Sequence, residues 1–584
     1  MTRLLSTQDH ADGWLRRATL ATAFSSVFLA SAAFAQSPNV EYQVQKGAQV
    51  WSDKVYPVKV SLDLDRLPQP PRWQPGDPII EYAIRDNSLP PGWQPAKPRH
   101  FGEDPLVRLG QEASGASGAG IETLQFNVQG NPGNGGQPPD TNGDVGREYY
   151  LQAINGTRII VLDKEDGSEV TSFTLGSLAV GTQTGCNILR SDPVVYFDQL
   201  AAAGEGRWVL AEFTTTSQCF FISQTADPTT GDWYVYEFPS ASGGIPDYIK
   251  FGVWPGFYYA GANENFNGGH SNYAFDRENM LQGLPAEPAQ IFASPELNGY
   301  AFQLLLPADV DGNTPPPDGA PGVLLRKRDD EAHTNDGAQD DPDNDFLDYW
   351  EMSIDFADPN NSTFAGPTSI PISEFEAELC GLRNFNCVPQ TGNGPILDSV
   401  SETLMWRVQY RRFEDRQLML SSFVVDVDGN DLHGIRWFVL ERPVDDTTGG
   451  WTLQQEGTHS LDDTHRWMSS LAMDQRGNIV MGYSVSDGNG TFPGIRYAGR
   501  QFDDPPGTLP QGEFTAMDGS AANNGFRWGD YASMNVDPLD DCTFYFTTMY
   551  NPTSNWDTRV IAMEFDNCEA LPETVLQDGF EAQP

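Results

Sequence analysis

RWMSSLAMDQRGNIVMGYSVSDGNG, residues 466–490, and RWGDYASMNVDPLDDCTFYFTTMYNP, residues 527–552, are two copies of one unit. Each opens on Arg-Trp, runs through an alternating apolar stretch to an aspartate (Asp474, Asp537), turns, and runs back through a second apolar stretch. Each then continues into a further strand, GIRYAGR from Gly494 and DTRVIAMEF from Asp557. A third copy precedes them, LMWRVQYRRFEDRQLMLSSFVVDVDGN from Leu404 followed by GIRWFVLER. Period-two alternation between Gly, Asp, Asn and Pro turns is the pattern of strands, and no helical period survives beyond two or three turns. The fold class is therefore all-β.

Looser copies lie upstream, in PPDTNGDVGREYYLQAIN from Pro138, SDPVVYFDQL from Ser191 and PDYIKFGVWPGFYYAGANEN from Pro246. The most divergent starts near Ala320 and runs through LLRKRDD to DYWEMSIDF. Starts near Asp140, Asp192, Asp247, Ala320, Asp398, His465 and Phe526 leave room for four strands each, which predicts a β-propeller of seven blades, with six or eight as neighbouring counts. A β-sandwich does not account for a unit that keeps returning to Arg-Trp.

Residues 36–137 are Pro- and Gly-rich and hold a near-duplicate, PPRWQPGDP from Pro70 and PPGWQPAKP from Pro90. Proline removes donors and fixes φ, so this region reads as an extended arm or linker. Its alternating piece Thr123–Val128 is suited to pairing with the last strand of the propeller, which spans residues 138–569. Residues 570–584 form a tail.

Residues 1–35 read as a secretory signal peptide: Arg16 and Arg17, a small-residue apolar run from Ala18, then Ala33-Phe34-Ala35. The Arg pair fits a twin-arginine signal only loosely. No later run reaches the roughly 20 apolar residues needed to span a bilayer, so a secreted protein, periplasmic or extracellular, is expected. Its six cysteines fall into neighbours in the chain, Cys186 with Cys219, Cys380 with Cys387 and Cys542 with Cys568. An even count in an exported chain suggests disulfide bonds.

Against 35 Lys and Arg stand 81 Asp and Glu, a formal net charge of -46. Such a surface repels phosphate backbones and anionic lipid, which excludes nucleic-acid and membrane-surface partners. It suits calcium or cationic ligands, and it also serves solubility alone. With 39% hydrophobic residues the chain has the material for a core, so the charge does not imply disorder.

The segments PPDTNGDVG, ISQTADPTTGDWY, PDYIKFGVWP, RWMSSLAMDQRGNIVMGYSVS and RWGDYASMNVDPLDDCTF together resemble a family of exported bacterial propeller-like proteins. The resemblance covers roughly residues 138–568 and implies no catalytic residues. The closing DGFE at 578–581 resembles tails of other exported bacterial proteins. Sialidase-like propellers are similar in architecture only, because their S-x-D-x-G-x-x-W turn does not occur.

If the units start as placed, Asp140, Asp192, Asp247 and Asp530 begin inner strands and converge on one mouth of the axis. Carboxylates there would bind a cation or act as the acid and base of a glycosidase. Arg466 and Arg527 are placed to bind a substrate carboxylate, and Tyr248 and Tyr531 to stack on a sugar or donate a proton. The plainer reading is that such residues cross-link neighbouring blades.

Four strings space oxygen ligands as a calcium loop does: Asp140-x-Asn142-x-Asp144, Asp309-x-Asp311-Gly-Asn313, Asp341-x-Asp343-x-Asp345 and Asp426-x-Asp428-Gly-Asn430. None has the EF-hand glutamate, and the same residues make ordinary turns. His465, at the start of a unit, stands out among histidines that lack ligand spacing, and LPET at 571–574 lacks the apolar helix of a sortase signal. Two functions stay open: a secreted module binding a glycan, matrix or surface protein, and a carbohydrate-active hydrolase or lyase using the carboxylates.

Overall fold

The computed structural model describes residues 42–568 apart from 51, 63–66, 69, 71, 75, 82–101, 114–119, 298–301, 334–340, 342, 381–385 and 393. The leader, the second Pro-rich duplicate and the tail lie outside them.

The chain is an all-β propeller. Among the described residues, seven antiparallel units of four strands are laid out in order from the axis outward. Their innermost strands are Asn142–Val145, Val194–Asp198, Asp247–Trp254, Leu306–Val310, Met405–Arg412, His465–Met473 and Ser533–Val536. Each neighbours the next and the seventh neighbours the first, which closes a circle. We number the sheets one to seven in that order.

The fourth unit corrects the sequence reading. Its innermost strand is Leu306–Val310, and the segment expected to open it near Ala320 forms the second strand, Gly322–Arg328. Leu306–Val310 is short, contains Pro307, and pairs in parallel with Met405–Arg412 of the fifth sheet. That ladder fuses sheets four and five into nine continuous strands counting one supplied by the arm, whereas the other innermost strands meet through side chains.

Sheets in the ring are covered on both faces, so middle strands lose the solvent half of their alternation. Ile479–Ser486 is buried at all eight positions. Gly482 within it leaves the space that the Phe546 ring of sheet seven fills; a Cβ there would stand 2.5 Å from the ring.

The arm is laced onto the rim. Gln43–Lys46 pairs with the outer strand of sheet four, Gln49–Val50 with that of sheet three and Val58–Ser61 with that of sheet two. Ile121–Gln129 pairs antiparallel with Asp557–Phe565 and completes sheet seven, the pairing its alternation predicts. All three expected disulfides are formed, Cys186–Cys219, Cys380–Cys387 and Cys542–Cys568.

Side chains fill the axis. Arg407 of sheet five reaches across to Asp144 of sheet one at 3.0 Å and also pairs with Asp309 of sheet four. Above it Trp406 meets Tyr196 of sheet two and Tyr531 beside sheet seven, both at 6.2 Å between ring centres. Arg407→Met would leave two buried carboxylates without their cation; we expect a loss of about 3–5 kcal/mol in unfolding free energy, read from denaturant midpoints.

Candidate functional site

Because every sheet starts at the same end of the axis, the chain brings Asp140, Asp192 and Asp530 together. Each is nearly or fully buried, at 0%, 5% and 5% exposure. Their oxygens and amides are committed within the protein, some of them to neighbouring sheets. Asp140 Oδ1 accepts from the Asp530 amide at 3.0 Å and its Oδ2 from Asn155 Nδ2 at 2.7 Å, while Asp192 Oδ2 accepts from the Tyr248 amide at 3.0 Å. Asp140, Asp192 and Tyr248 all sit at positive φ (50°, 59° and 54°), a conformation that non-glycine residues hold only where the surroundings enforce it.

Tyr248 and Tyr531 close this end. The Tyr248 hydroxyl donates to the Asp530 carbonyl at 2.8 Å, and the two rings meet edge to face at 6.0 Å. Between them lies Lys250, which the sequence reading missed. Its Nζ stands 3.8 Å from the Tyr248 ring centre and 3.9 Å from that of Tyr531, with carbonyls of Tyr248 and Ile249 at 3.3 Å. Burial pushes the Lys250 pKa down, against the pull of Asp192, Asp140, Asp530 and Asp247. Burial pushes Asp140 well up, and Asp530 and Asp192 push it further.

Arg527 Nη2 donates to both oxygens of Asp530, at 2.8 and 2.9 Å, and its Nε donates to Asp398 at 2.9 Å. Arg466 does not join it: it binds Glu513 at 2.7 Å and Asp462 at 3.0 Å. Asp247 begins its strand half-buried and acts on Lys250 electrostatically. The expected open mouth is thus a packed plug, because aromatic side chains from across the ring meet over the carboxylates. What it can do chemically is hold sheets one, two, three and seven in register.

The calcium-like strings spend oxygens on amides and cations of the protein, within their own turns or across to neighbouring sheets. Asp144 accepts from the amides of Val145 at 2.7 Å and Phe197 at 2.8 Å, and Asn142 Oδ1 accepts from the Val195 amide at 3.0 Å. Asp309 serves the Val253 amide at 2.8 Å and Arg407, while Asp311 accepts from Gln199 at 3.1 Å and Gln409 at 2.8 Å. Asn313 Nδ2 is buried without a partner among the described residues. Asp426 accepts from the amides of Asp428, Gly429 and Asp431, and Asp428 from that of Asn430.

A different acidic cluster could hold a metal ion. Oxygens of Asp329, Glu331 and Asp345 lie within 4.8 Å of one another, and all three side chains are buried. Of these only Asp345 belongs to a sequence string; Asp329 follows directly on Gly322–Arg328 and Glu331 lies in the short helix Asp330–His333, and the two show no ligand spacing. Burial raises Asp345 well above the usual carboxylate range, with Asp329 and Glu374 adding to it.

His465 Nδ1 lies 3.0 Å from Nδ1 of His433 across the gap between sheets six and five. Burial pushes His465 down to about 4.

No family model matches the chain, and no curated protein does. Among solved structures it is similar to Drosophila plexin A in complex with semaphorin 1b, with a TM-score of 0.33 and 9% identity over 77% of this chain and 88% of that one. It is similar to U3-55K at 0.35 and 9% over 76% and 99%. It is similar to the α-L-arabinofuranosidase Arb93A of Fusarium graminearum bound to an iminosugar inhibitor at 0.33 and 8% over 77% and 99%. The fold assignment rests on the strand order above.

Glu212, in the second strand of sheet two, is 1% exposed, and neither carboxylate oxygen has a hydrogen-bond partner among the described residues. Burial, then Asp192, raises its pKa well above the ordinary 4.5. An acid with a raised folded pKa favours folding most at low pH, and that contribution is lost as pH rises from 4.5 toward the folded value. Glu212→Gln should therefore gain stability over the parent as pH rises from 4.5 to 8, by up to about 1.4 kcal/mol per unit. Denaturant unfolding of both proteins across that range measures it; a flat difference would refute it.

Proposed function

We propose that this chain is an exported propeller, akin to the exported bacterial proteins its motifs resemble, that binds an extracellular glycan or surface protein at one face without cleaving it. One observation carries the reading. Of the carboxylates that a hydrolase would need at the axis, Asp140, Asp192 and Asp530 are at most 5% exposed, Asp140 and Asp192 accept backbone amides of neighbouring sheets, and Asp530 is held by Arg527. A general acid must come within hydrogen-bond reach of the bond it protonates, and the Tyr248–Lys250–Tyr531 plug stands in the way. Three disulfides agree with an oxidising compartment. No helix among the described residues is long and apolar enough to cross a membrane.

Calcium is the cation we assign to Asp329, Glu331 and Asp345. Hard carboxylate oxygens from two strand ends suit it, and a divalent ion relieves buried like charges that raise one another's pKa.

The chain from residue 36 onward, incubated with an array of polysaccharides, should be retained on some and release no product. Product release that disappears in Asp530→Asn, with the melting temperature held, would replace this reading with the hydrolase. For calcium, a chelator should lower the melting temperature of the parent and leave Asp345→Asn unmoved. At a hundredfold excess of ion over Kd the loss is about 2.7 kcal/mol. An unmoved parent retires the assignment.

A further inference from the structure

Between sheets three and four the protein buries more positive than negative charge. Arg326 and Arg328, on the second strand of sheet four, share one carboxylate, Asp348. Arg328 Nε lies 3.0 Å from it and Arg326 Nε 3.6 Å. All three are at most 3% exposed. Asp348 sits below the usual carboxylate range: burial opposes ionisation, and Arg328 and Arg326 outweigh it. His270 stays neutral and adds no positive charge of its own, since burial and Arg326 hold it down to about 4. Arg326 Nη2 has no hydrogen-bond partner among the described residues, nor has His270 Nδ1.

This cation lies behind the wall of a cleft. Arg326 Nη1 donates to the Pro295 carbonyl at 2.7 Å, and its guanidinium stacks 4.8 Å from the Trp350 ring centre. Pro295 and Trp350 line an opening of about 440 Å³ together with Asn267, Ser294 and, from the arm strand, Gln43 and Gln45. Asn267 and Gln43 are exposed, and their side-chain amides are suited to hydroxyl and carboxylate oxygens.

We propose that this cleft binds an acidic saccharide, a uronic acid whose carboxylate is drawn by Arg326 and whose hydroxyls meet Gln43 and Asn267. The proposal rests on the binding reading above and gives it a place and a ligand class. A buried cation with one shared counter-charge favours an anion at the nearest solvent-accessible point. The net charge of the chain opposes that anion at long range, but beyond about 8 Å at physiological salt the opposition is screened.

Titration calorimetry on the chain from residue 36 onward, with trigalacturonate, galactotriose and sodium sulfate, tests it. Trigalacturonate should bind, galactotriose about tenfold more weakly or not at all, and sulfate should not displace the triuronate. Gln43→Ala and Asn267→Ala, both at exposed positions, should each weaken the triuronate, and Arg326→Gln should erase the preference over the neutral trimer. Should Arg326→Gln fail to fold, the two surface variants decide alone. Equal binding of both trimers, binding of neither, competition by sulfate or unaltered affinity in the surface variants overturns the proposal. Retention on the polysaccharide array that survives Gln43→Ala and Asn267→Ala removes this cleft and leaves the binding reading; no retention anywhere removes that reading.

Discussion

Outside the parallel pairing of Leu306–Val310 with Met405–Arg412, innermost strands of neighbouring sheets share no ladder among the described residues. Their register depends on polar side chains of one sheet accepting backbone amides of the next. Asn142 and Asp144 hold sheet two, Asp192 and Asp309 hold sheet three, and Gln409 holds Met473 of sheet six at 2.7 Å. Ser470 holds Met534 of sheet seven at 3.0 Å, and Asp140 the Asp530 amide just before it. Backbone amides that would otherwise be buried without acceptors are satisfied this way.

Carboxylates so used must give up water, and the ring compensates with few cations. Arg407, Lys250 and Arg527 each serve carboxylates from more than one sheet. Removing one member of such a buried group costs far more than the intact group contributes. The acidic composition is therefore divided: much of it is solvated surface, and a small buried share fixes the geometry of the axis.

The Arg-Trp units at 466 and 527 made the ring legible, because a unit that returns with the same strand pattern has to stack on its copies. They also hid a difference. Arg466 turns to Glu513 beside the outer strand of its own sheet, while Arg527 turns to Asp398 and Asp530. Convergence of Asp140, Asp192 and Asp530 follows from strand phase and was legible too. Their burial was not, since Tyr248, Tyr531 and Trp406 come from units far apart in the chain. Oxygens of the Asp-x-Asp strings are taken by amides of their own turns, by amides of neighbouring sheets and by Arg407, whereas Asp329, Glu331 and Asp345, the last from one of those strings, are gathered by the pairing of two strands.

The rim strands of the arm carry a temporal consequence. Gln43–Lys46, Gln49–Val50 and Val58–Ser61 find their partners at Thr363–Gly366, Ile291 and Gln290, and Val235–Asp232. Ribosome order presents these three strands well before the edges that receive them, from Ser61 ahead of Asp232 to Gln43 ahead of Gly366. The earliest part of the folded body to be synthesised is thus obliged to wait, and a nascent chain closes its outermost seams one at a time, the Val58–Ser61 seam first and the Gln43–Lys46 seam last.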